Sequence, residues 1–187
     1  MVPAVRVIAG RYKGRRLKAP SWEGLRPTSD KLRETLFNVL APRIEGARVL
    51  DGYAGTGAAG IEALSRGAAH VTFVESERRA QALIAENLAR CGIGSGYVII
   101  RATVARAFDT LLADPAFVPF DLILLDPPYA HAPDAVLEQA GRLLASDGLV
   151  VLECASRSPA PAAAGPLIRV RELVSGDSAL MVYRCRR

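Results

Sequence analysis

From residue 46 onward, short apolar segments alternate with longer segments of helical periodicity, and this alternation limits the fold more than any other feature of the chain. Apolar runs of this length are typical of buried strands. The predicted strands are ARVLDGY, AHVTFVE, YVIIR, DLILLD and GLVVLEC, and the predicted helices are AAGIEALSRG, ERRAQALIAENLARCG, VARAFDTLLA and PDAVLEQAGRLLA. Strands that alternate with helices form a parallel sheet covered on both faces. The sequence therefore predicts a doubly wound α/β fold.

The two ends of the chain depart from this alternation. Two β-type segments, AVRVIA and RRLKAP, predict a hairpin, and the following TSDKLRETLFNVLAPRI predicts a helix capped by Thr28 or Ser29. Residues 156–166, rich in Ser, Pro and Ala, predict a loop. The last segment predicts two antiparallel strands around a Ser-Gly-Asp turn. We therefore expect a small extension of hairpin and helix over residues 1–43 and the main domain over residues 44–187.

The net charge of +5 is concentrated in the N-terminal quarter of the chain. Residues 1–43 contain ten Lys and Arg against three acidic residues, whereas the other 144 residues contain 14 basic and 16 acidic groups. A local basic block predicts contact with a polyanion such as a nucleic acid. The alternative is a solvated basic face without a partner.

The cysteines and histidines are too few and too scattered to predict a zinc site. Cys91, Cys154 and Cys185 have no CxxC spacing, and the chain contains two histidines. An odd number of cysteines is typical of a reducing compartment. The sequence shows no apolar run of about 18 residues and no secretory signal. We therefore expect a cytoplasmic protein that binds neither a metal nor a membrane.

A glycine-rich turn follows the predicted strand ARVLDGY and opens the predicted helix AAGIEALSRG. Gly55, Gly57 and Gly60 form a G-x-G-x-x-G pattern, which lets a nucleotide ligand approach the backbone. Glu75, at the end of the next strand, can accept hydrogen bonds from the ribose hydroxyls of an adenine nucleoside. Asp51 would repel a pyrophosphate but suits a ligand with a positive α-amino group and a sulfonium. The pattern favours S-adenosylmethionine over NAD, and a turn that binds nothing is the alternative.

The fourth predicted strand ends in Asp-Pro-Pro-Tyr, a stiff segment with a carboxylate and an aromatic ring. In a doubly wound fold the ends of the first and fourth strands flank one crevice. There the carboxylate of Asp126 and the carbonyl of Pro127 can accept the two hydrogens of an exocyclic amine, while Tyr129 stacks on a flipped or unpaired base. Asp126 could instead act as a true base. A stiff connection with an exposed tyrosine is the alternative without function.

The chain resembles the RsmD family of bacterial small-subunit ribosomal RNA guanine-N2 methyltransferases over nearly its full length. The resemblance is carried by RVIAGRYKGRRLKAP, LRPTSDKLRETLFNVL, LDGYAGTGAAGIEALSRGAAHVTFVE, DLILLDPPY and GDSALMVYR. The first two segments are the specific ones, because many amino methyltransferases share the others. The resemblance implies a class I, Rossmann-like methyltransferase fold with S-adenosylmethionine as donor and S-adenosylhomocysteine as product. It also implies guanine N2 in 16S ribosomal RNA as the acceptor, during assembly of the small subunit.

The residues and the resemblance together give the expected site. The catalytic set is Asp126, Pro127 and Tyr129, and the cofactor set is Asp51, Ala54, Gly55, Gly57, Gly60, Glu75, Thr103, Val104 and Asp126. Thr103 stands where the family usually has Asp or Asn against the adenine amino group, so the backbone of Val104 is expected to supply part of that contact. The expected RNA contacts are Arg6, Arg11, Lys13, Arg15, Arg16, Lys18, Arg26 and Arg33. Such cations position a nucleic acid through its phosphates, and ordinary helix-surface charge is the alternative for Arg26 and Arg33.

Three other functions stay open on the sequence alone. The first is another amino methyltransferase, acting on adenine N6 in DNA or RNA or on a glutamine side chain. The second is an NAD(P)-dependent oxidoreductase, and the third is a non-catalytic RNA-binding assembly factor. We expect a monomer, because nothing in the sequence indicates a self-complementary apolar face.

Overall fold

A computed structural model describes residues 5–22, 30–128, 133–158 and 160–186, which form one eight-stranded sheet with five helices packed against it. The helices are α1 (Asp30–Ile44), α2 (Ala58–Ser65), α3 (Arg78–Arg90), α4 (Val104–Ala113) and α5 (Asp134–Leu143). The strands are β1 (Arg48–Gly52), β2 (His70–Glu75), β3 (Tyr97–Arg101), β4 (Phe120–Leu125), β5 (Leu144–Ala155), β6 (Ala163–Ala164), β7 (Leu167–Ser175) and β8 (Ser178–Cys185). The predicted alternation of strands and helices is confirmed. The caps predicted for α1, Thr28 and Ser29, lie outside the described residues.

The strand order β3-β2-β1-β4-β5-β8-β7-β6 has its switch point between β1 and β4. β1 pairs in parallel with β2 on one side and with β4 on the other. Gly52, at the end of β1, lies opposite Leu125, at the end of β4. Asp126 follows Leu125 directly, so the Asp-Pro-Pro segment starts at the sheet edge where the glycine-rich turn begins. The predicted adjacency of the first and fourth strands is confirmed, and ligands bind at such switch points in open α/β sheets.

The antiparallel strands β8 and β7 extend the sheet beyond β5, as predicted for the C-terminal segment. The loop predicted over residues 156–166 is wrong at Ala163 and Ala164, because these residues form β6 and pair with β7. Gly165 has a φ of 52°, which lets the chain reverse at once between the two strands. Two alanines have no strand periodicity of their own, so pairing across this turn places them in the sheet.

Side chains alternate between the two faces of the sheet and form a hydrophobic core on each face. Along β1, Val49 packs with α1, α2 and α3, whereas Leu50 packs with α4 and α5. Phe73 on β2 belongs to the first core, and Phe108 on α4 belongs to the second. Because both faces are covered, the parallel strands are continuous apolar runs without polar alternation.

The N-terminal hairpin packs on the first of these cores. Val5, Val7 and Leu17 are buried in the same cluster as the apolar residues of α1 and α2. One antiparallel bridge joins Arg6 and Arg16, so the predicted hairpin is present with a short ladder. The division of the chain into an extension and a main domain stays a prediction about function, since both parts share one core.

Side chains of α2 complete the hydrogen bonding of the hairpin backbone. The fully buried carboxylate of Glu62 accepts from the N–H of Ile8 at 2.7 Å and from the N–H of Ala9 at 3.0 Å. Ser65 Oγ accepts from the N–H of Tyr12 at 3.0 Å. Buried polar groups require such partners, and here the partners are more than 50 residues away in the sequence. Glu62 and Ser65 therefore fix the hairpin to α2.

We expect the Gly60→Ala substitution to destabilise the fold by about 1–3 kcal/mol. A methyl group at Gly60 would overlap the ring of Phe73 and lie 2.9 Å from Cγ1 of Val71, because α2 packs directly on β2 there. Gly94→Ala is the matched control, since a methyl group at Gly94 meets no atom within 4 Å. Urea unfolding of both variants measures the difference, and equal midpoints would contradict this packing.

Candidate active site

The carboxylate of Asp51 ties the end of β1 to the first turn of α2. Its Oδ2 accepts from the backbone N–H of Gly60 at 2.8 Å, and the residue is 4% exposed. A carboxylate in this place also lies at the positive end of the helix dipole. Gly60 packs against Phe73 and donates to Asp51, so helix packing already requires a glycine here, and its cofactor contact stays a prediction.

The carboxylate of Glu75 holds the start of the glycine-rich turn. Glu75 Oε2 accepts from the N–H of Gly55 at 2.9 Å, and Oε1 accepts from the N–H of Glu77 at 2.8 Å. The N–H of Ala54 donates to the carbonyl of Val74 at 3.0 Å, so the turn is bound to the end of β2 at two points. A carboxylate can accept about four hydrogen bonds. Glu75 therefore keeps capacity for the predicted ribose contact.

The backbone between β1 and α2 adopts left-handed conformations at three positions. Gly55 has a φ of 55° and Gly57 a φ of 76°, which glycine adopts without steric cost. Tyr53 has a φ of 62° and is the only residue other than glycine with a positive φ in the described part of the chain. Strain of this kind concentrates at functional sites. Tyr53 is thus a candidate site residue that the sequence pattern did not indicate.

Asp126 and Pro127 lie immediately after β4, with Asp126 partly exposed and Pro127 buried. Burial raises the pKa of Asp126 to about 6. Burial is also the main cause that raises the pKa of Asp51 to about 7. The N–H of Gly60 opposes that shift, and the carboxylates of Asp126 and Glu75 add to it. The two aspartates are therefore close enough to influence each other's charge.

Three carboxylates, those of Asp51, Glu75 and Asp126, stand at the carboxyl ends of β1, β2 and β4. Because burial raises the pKa of both aspartates, their charged forms are costly until a cation comes near. A pyrophosphate would add negative charge to this edge, whereas a sulfonium or an ammonium would offset the charge already there. The arrangement fits a cationic adenosine ligand and disfavours NAD.

Thr103, two residues after the end of β3, caps helix α4. Its Oγ1 accepts from the N–H of Arg106 at 3.4 Å, and α4 begins at the next residue, the buried Val104. The Thr103 hydroxyl keeps a donor hydrogen for another partner. The adenine contacts expected of these two residues remain predictions, and both residues lie at the same sheet edge as Glu75.

Most of the predicted RNA contacts are exposed on the hairpin, namely Arg6, Arg11, Lys13, Arg15, Arg16 and Lys18. Arg26 and the predicted catalytic residue Tyr129 lie outside the described residues. The RNA contact predicted for Arg33 is wrong, because this residue is 1% exposed. Its guanidinium donates to the Asp30 carboxylate at 2.8 Å and to the carbonyl of Arg6. Arg33 lies on the face of α1 that packs on the core, and it joins α1 to the hairpin.

Two of the exposed cations also attach the hairpin to α3. Lys18 Nζ lies 2.7 Å from a carboxylate oxygen of Glu86. Arg15 donates to the carbonyl of Cys91, and its guanidinium lies 5.5 Å from the ring centre of Tyr12. These contacts orient the hairpin and leave its other cations on the protein surface.

Comparison with known proteins identifies the family of this chain. Residues 5–184 match the family described as conserved hypothetical protein 95. The chain is 37% identical over 186 residues to the ribosomal RNA small subunit methyltransferase D of Escherichia coli K12, and the match covers 96% of this chain and 89% of that protein. The chain belongs to the RsmD family.

Solved structures of similar proteins share the whole fold of this RsmD family member. A hypothetical protein of Thermus thermophilus aligns with a TM-score of 0.82 at 30% identity, over 96% of this chain and 99% of that chain. The Escherichia coli protein YhhF aligns with a TM-score of 0.78 at 35% identity, over 97% of both chains. These likenesses confirm the predicted class I methyltransferase fold. No helix within the described ranges has the length and apolar character needed to cross a bilayer.

When the pH is raised from about 5 to about 8, we expect the free energy of unfolding to fall less for the Asp51→Asn variant than for the wild type. The pKa of Asp51 is raised to about 7 in the folded chain, so folding favours its protonated form. That contribution to the free energy of unfolding is lost as the pH rises through about 7. Asn keeps an oxygen that can accept from Gly60 but does not titrate. Urea unfolding across this pH range tests the expectation, and parallel pH profiles of the two proteins would contradict it.

Proposed function

We propose that this protein transfers a methyl group from S-adenosylmethionine to the exocyclic N2 amine of a guanine in 16S ribosomal RNA. The observation that carries the proposal is the position of Asp126 and Pro127, directly after β4 and beside the end of β1, where the glycine-rich turn begins. Membership of the RsmD family supports ribosomal RNA as the substrate, since the Escherichia coli relative is named a ribosomal RNA small subunit methyltransferase. The choice of guanine N2 rests on the resemblance to that family.

The residues around the glycine-rich turn suit S-adenosylmethionine, which supplies a methyl group on a positively charged sulfonium. In this proposal, Glu75 binds the ribose and Asp51, with the turn from Ala54 to Gly57, binds the charged methionine part. Thr103 and Val104 bind the adenine. A cation beside Asp51 would lower its raised pKa and favour the charged carboxylate. The charged form of this buried acid is costly in the free protein and becomes favourable when such a ligand is bound.

Asp126 and Pro127 would prepare the amine of the base for attack. The lone pair of an exocyclic amine is delocalised into the ring, so its nitrogen must become more tetrahedral before it reacts with a methyl group. The Asp126 carboxylate and the Pro127 carbonyl, each accepting one hydrogen, favour that geometry and hold the nitrogen in place. Methyl transfer leaves an extra proton on the nitrogen. Asp126, with its pKa raised to about 6, can accept that proton and release it to water.

Entry of the guanine requires that it be unpaired or flipped out of a helix. Tyr129 would then stack on the base, a contact worth roughly 1–3 kcal/mol. Tyr53, whose strained backbone starts the turn after β1, is an aromatic residue at the sheet edge where β1 and β4 end. An aromatic side chain at this edge suits a planar substrate.

The exposed cations of the hairpin would bind the ribosomal RNA. Contacts of Arg6, Arg11, Lys13 and Arg16 with phosphates would position the RNA without reading its bases, and binding would weaken steeply with salt. We further propose that the substrate is a partly assembled small subunit in the cytoplasm and that the protein acts as a monomer. The hairpin has a surplus of positive charge and the rest of the sequence has none, which supports the assignment of RNA binding to the hairpin.

We expect the Asp126→Ala variant to transfer methyl groups to small-subunit RNA at least about 100-fold more slowly than the wild type. The Asp126→Asn variant should lose about 10- to 100-fold, because its amide keeps an acceptor oxygen but cannot take up the proton. The rate is measured as incorporation of labelled methyl at saturating S-adenosylmethionine.

Asp121→Asn is the matched control for these two variants. Asp121 lies near the other end of β4, where its Oδ2 accepts from the N–H of Arg48 at 2.8 Å, a bond that Asn can retain. This variant should therefore react at the wild-type rate. A wild-type rate for Asp126→Asn would show that the carboxylate does not contribute, and a wild-type rate for Asp126→Ala would refute the proposed site.

A further inference from the structure

One buried side chain joins the end of the hairpin to the glycine-rich turn. Asn87 on α3 is fully buried. Its Oδ1 accepts from the backbone N–H of Lys18 at 2.7 Å, and its Nδ2 donates to the carbonyl of Lys18 at 3.2 Å and to the carbonyl of Thr56 at 2.9 Å. Both hydrogens of the amide are therefore used, one on each backbone segment.

The two segments that Asn87 connects belong to different halves of the proposed site. Lys18 ends the basic hairpin, which carries the cations assigned to RNA. Thr56 lies inside the glycine-rich turn and is 5% exposed, so its carbonyl is held within the protein. A displacement of either segment would stretch a hydrogen bond to the same amide group, and an unmade buried hydrogen bond is costly.

The other polar anchors of the hairpin do not reach the turn. Glu62 accepts from Ile8 and Ala9, and Ser65 accepts from Tyr12, all on the hairpin. These bonds account for the attachment of the hairpin to α2. Asn87 differs from these anchors because its third hydrogen bond reaches the turn itself.

We propose that Asn87 is a positioning residue that couples the binding of ribosomal RNA at the hairpin to the binding of S-adenosylmethionine at the glycine-rich turn. This proposal rests on the proposed function, because that function assigns RNA to the hairpin and the cofactor to the turn. RNA that orders the hairpin orders Lys18 and, through Asn87, the carbonyl of Thr56. The second ligand then loses less conformational freedom on binding, and each ligand raises the affinity for the other by the same factor.

Equilibrium dialysis of labelled S-adenosylhomocysteine measures this coupling. The dissociation constant is determined with and without saturating small ribosomal subunits, isolated from cells that lack this protein, and the product is used because it transfers no methyl group. We expect the dissociation constant without subunits to be about 5 to 10 times the constant with subunits for the wild type. For Asn87→Ala, and for Asn87→Asp, which keeps an acceptor for Lys18 but has no donor for Thr56, we expect a ratio near 1.

Ser65→Ala is the matched control, because it removes an anchor of the hairpin that has no contact with the turn. This variant should keep the wild-type ratio even where it binds the subunit more weakly. A wild-type ratio of 1 would overturn the proposal whether or not the variants fold. The proposal also fails if both Asn87 variants keep the wild-type ratio or if Ser65→Ala loses it equally. Failure of the proposed function is distinguishable, since the wild type would then transfer no methyl group to the same subunits.

Discussion

Two carboxylates hold the glycine-rich turn, and the rest of the site depends on them. Asp51 accepts from Gly60 and Glu75 accepts from Gly55, so the ends of β1 and β2 fix the turn at both sides. The same carboxylates supply the negative charge that suits a cationic ligand and repels a pyrophosphate. In the proposed function, the conformation of the turn and its preference for a cationic ligand therefore come from the same atoms. These two roles explain why Asp51 is buried although burial raises its pKa to about 7.

Helix α2 lies between this turn and the basic hairpin and contacts each of them through different residues. Near its start, Gly60 donates to Asp51, and in its second half Glu62 and Ser65 accept from hairpin backbone groups. A helix of eight residues thus contacts both the cofactor side and the RNA side of the proposed enzyme. Asn87 on α3 forms hydrogen bonds with both of these parts. The hairpin is consequently part of the methyltransferase core and not a separate module on a linker.

The sequence predicted the fold and the residues at the strand ends, because both depend on local patterns. Apolar periodicity located the alternating strands and helices, and the motifs placed Asp51, Glu75 and Asp126 at one sheet edge. The RNA contact predicted for Arg33 was wrong because exposure depends on which face of α1 packs on the core, and flanking charge does not show this. The roles of Glu62 and Asn87 could not be predicted, since their partners in the hairpin and the turn are 31 to 69 residues away. The only local signal was a polar residue within the buried face of a helix.

We propose that the methyl group reaches N2 of a guanine in 16S ribosomal RNA, and the identity of the methylated nucleoside tests this claim. Small subunits from cells that lack the protein are incubated with it and with labelled S-adenosylmethionine, and their RNA is digested to nucleosides and separated. We expect all of the label in N2-methylguanosine of 16S RNA. Label in N6-methyladenosine, or in the protein fraction of the subunit, would contradict the claim.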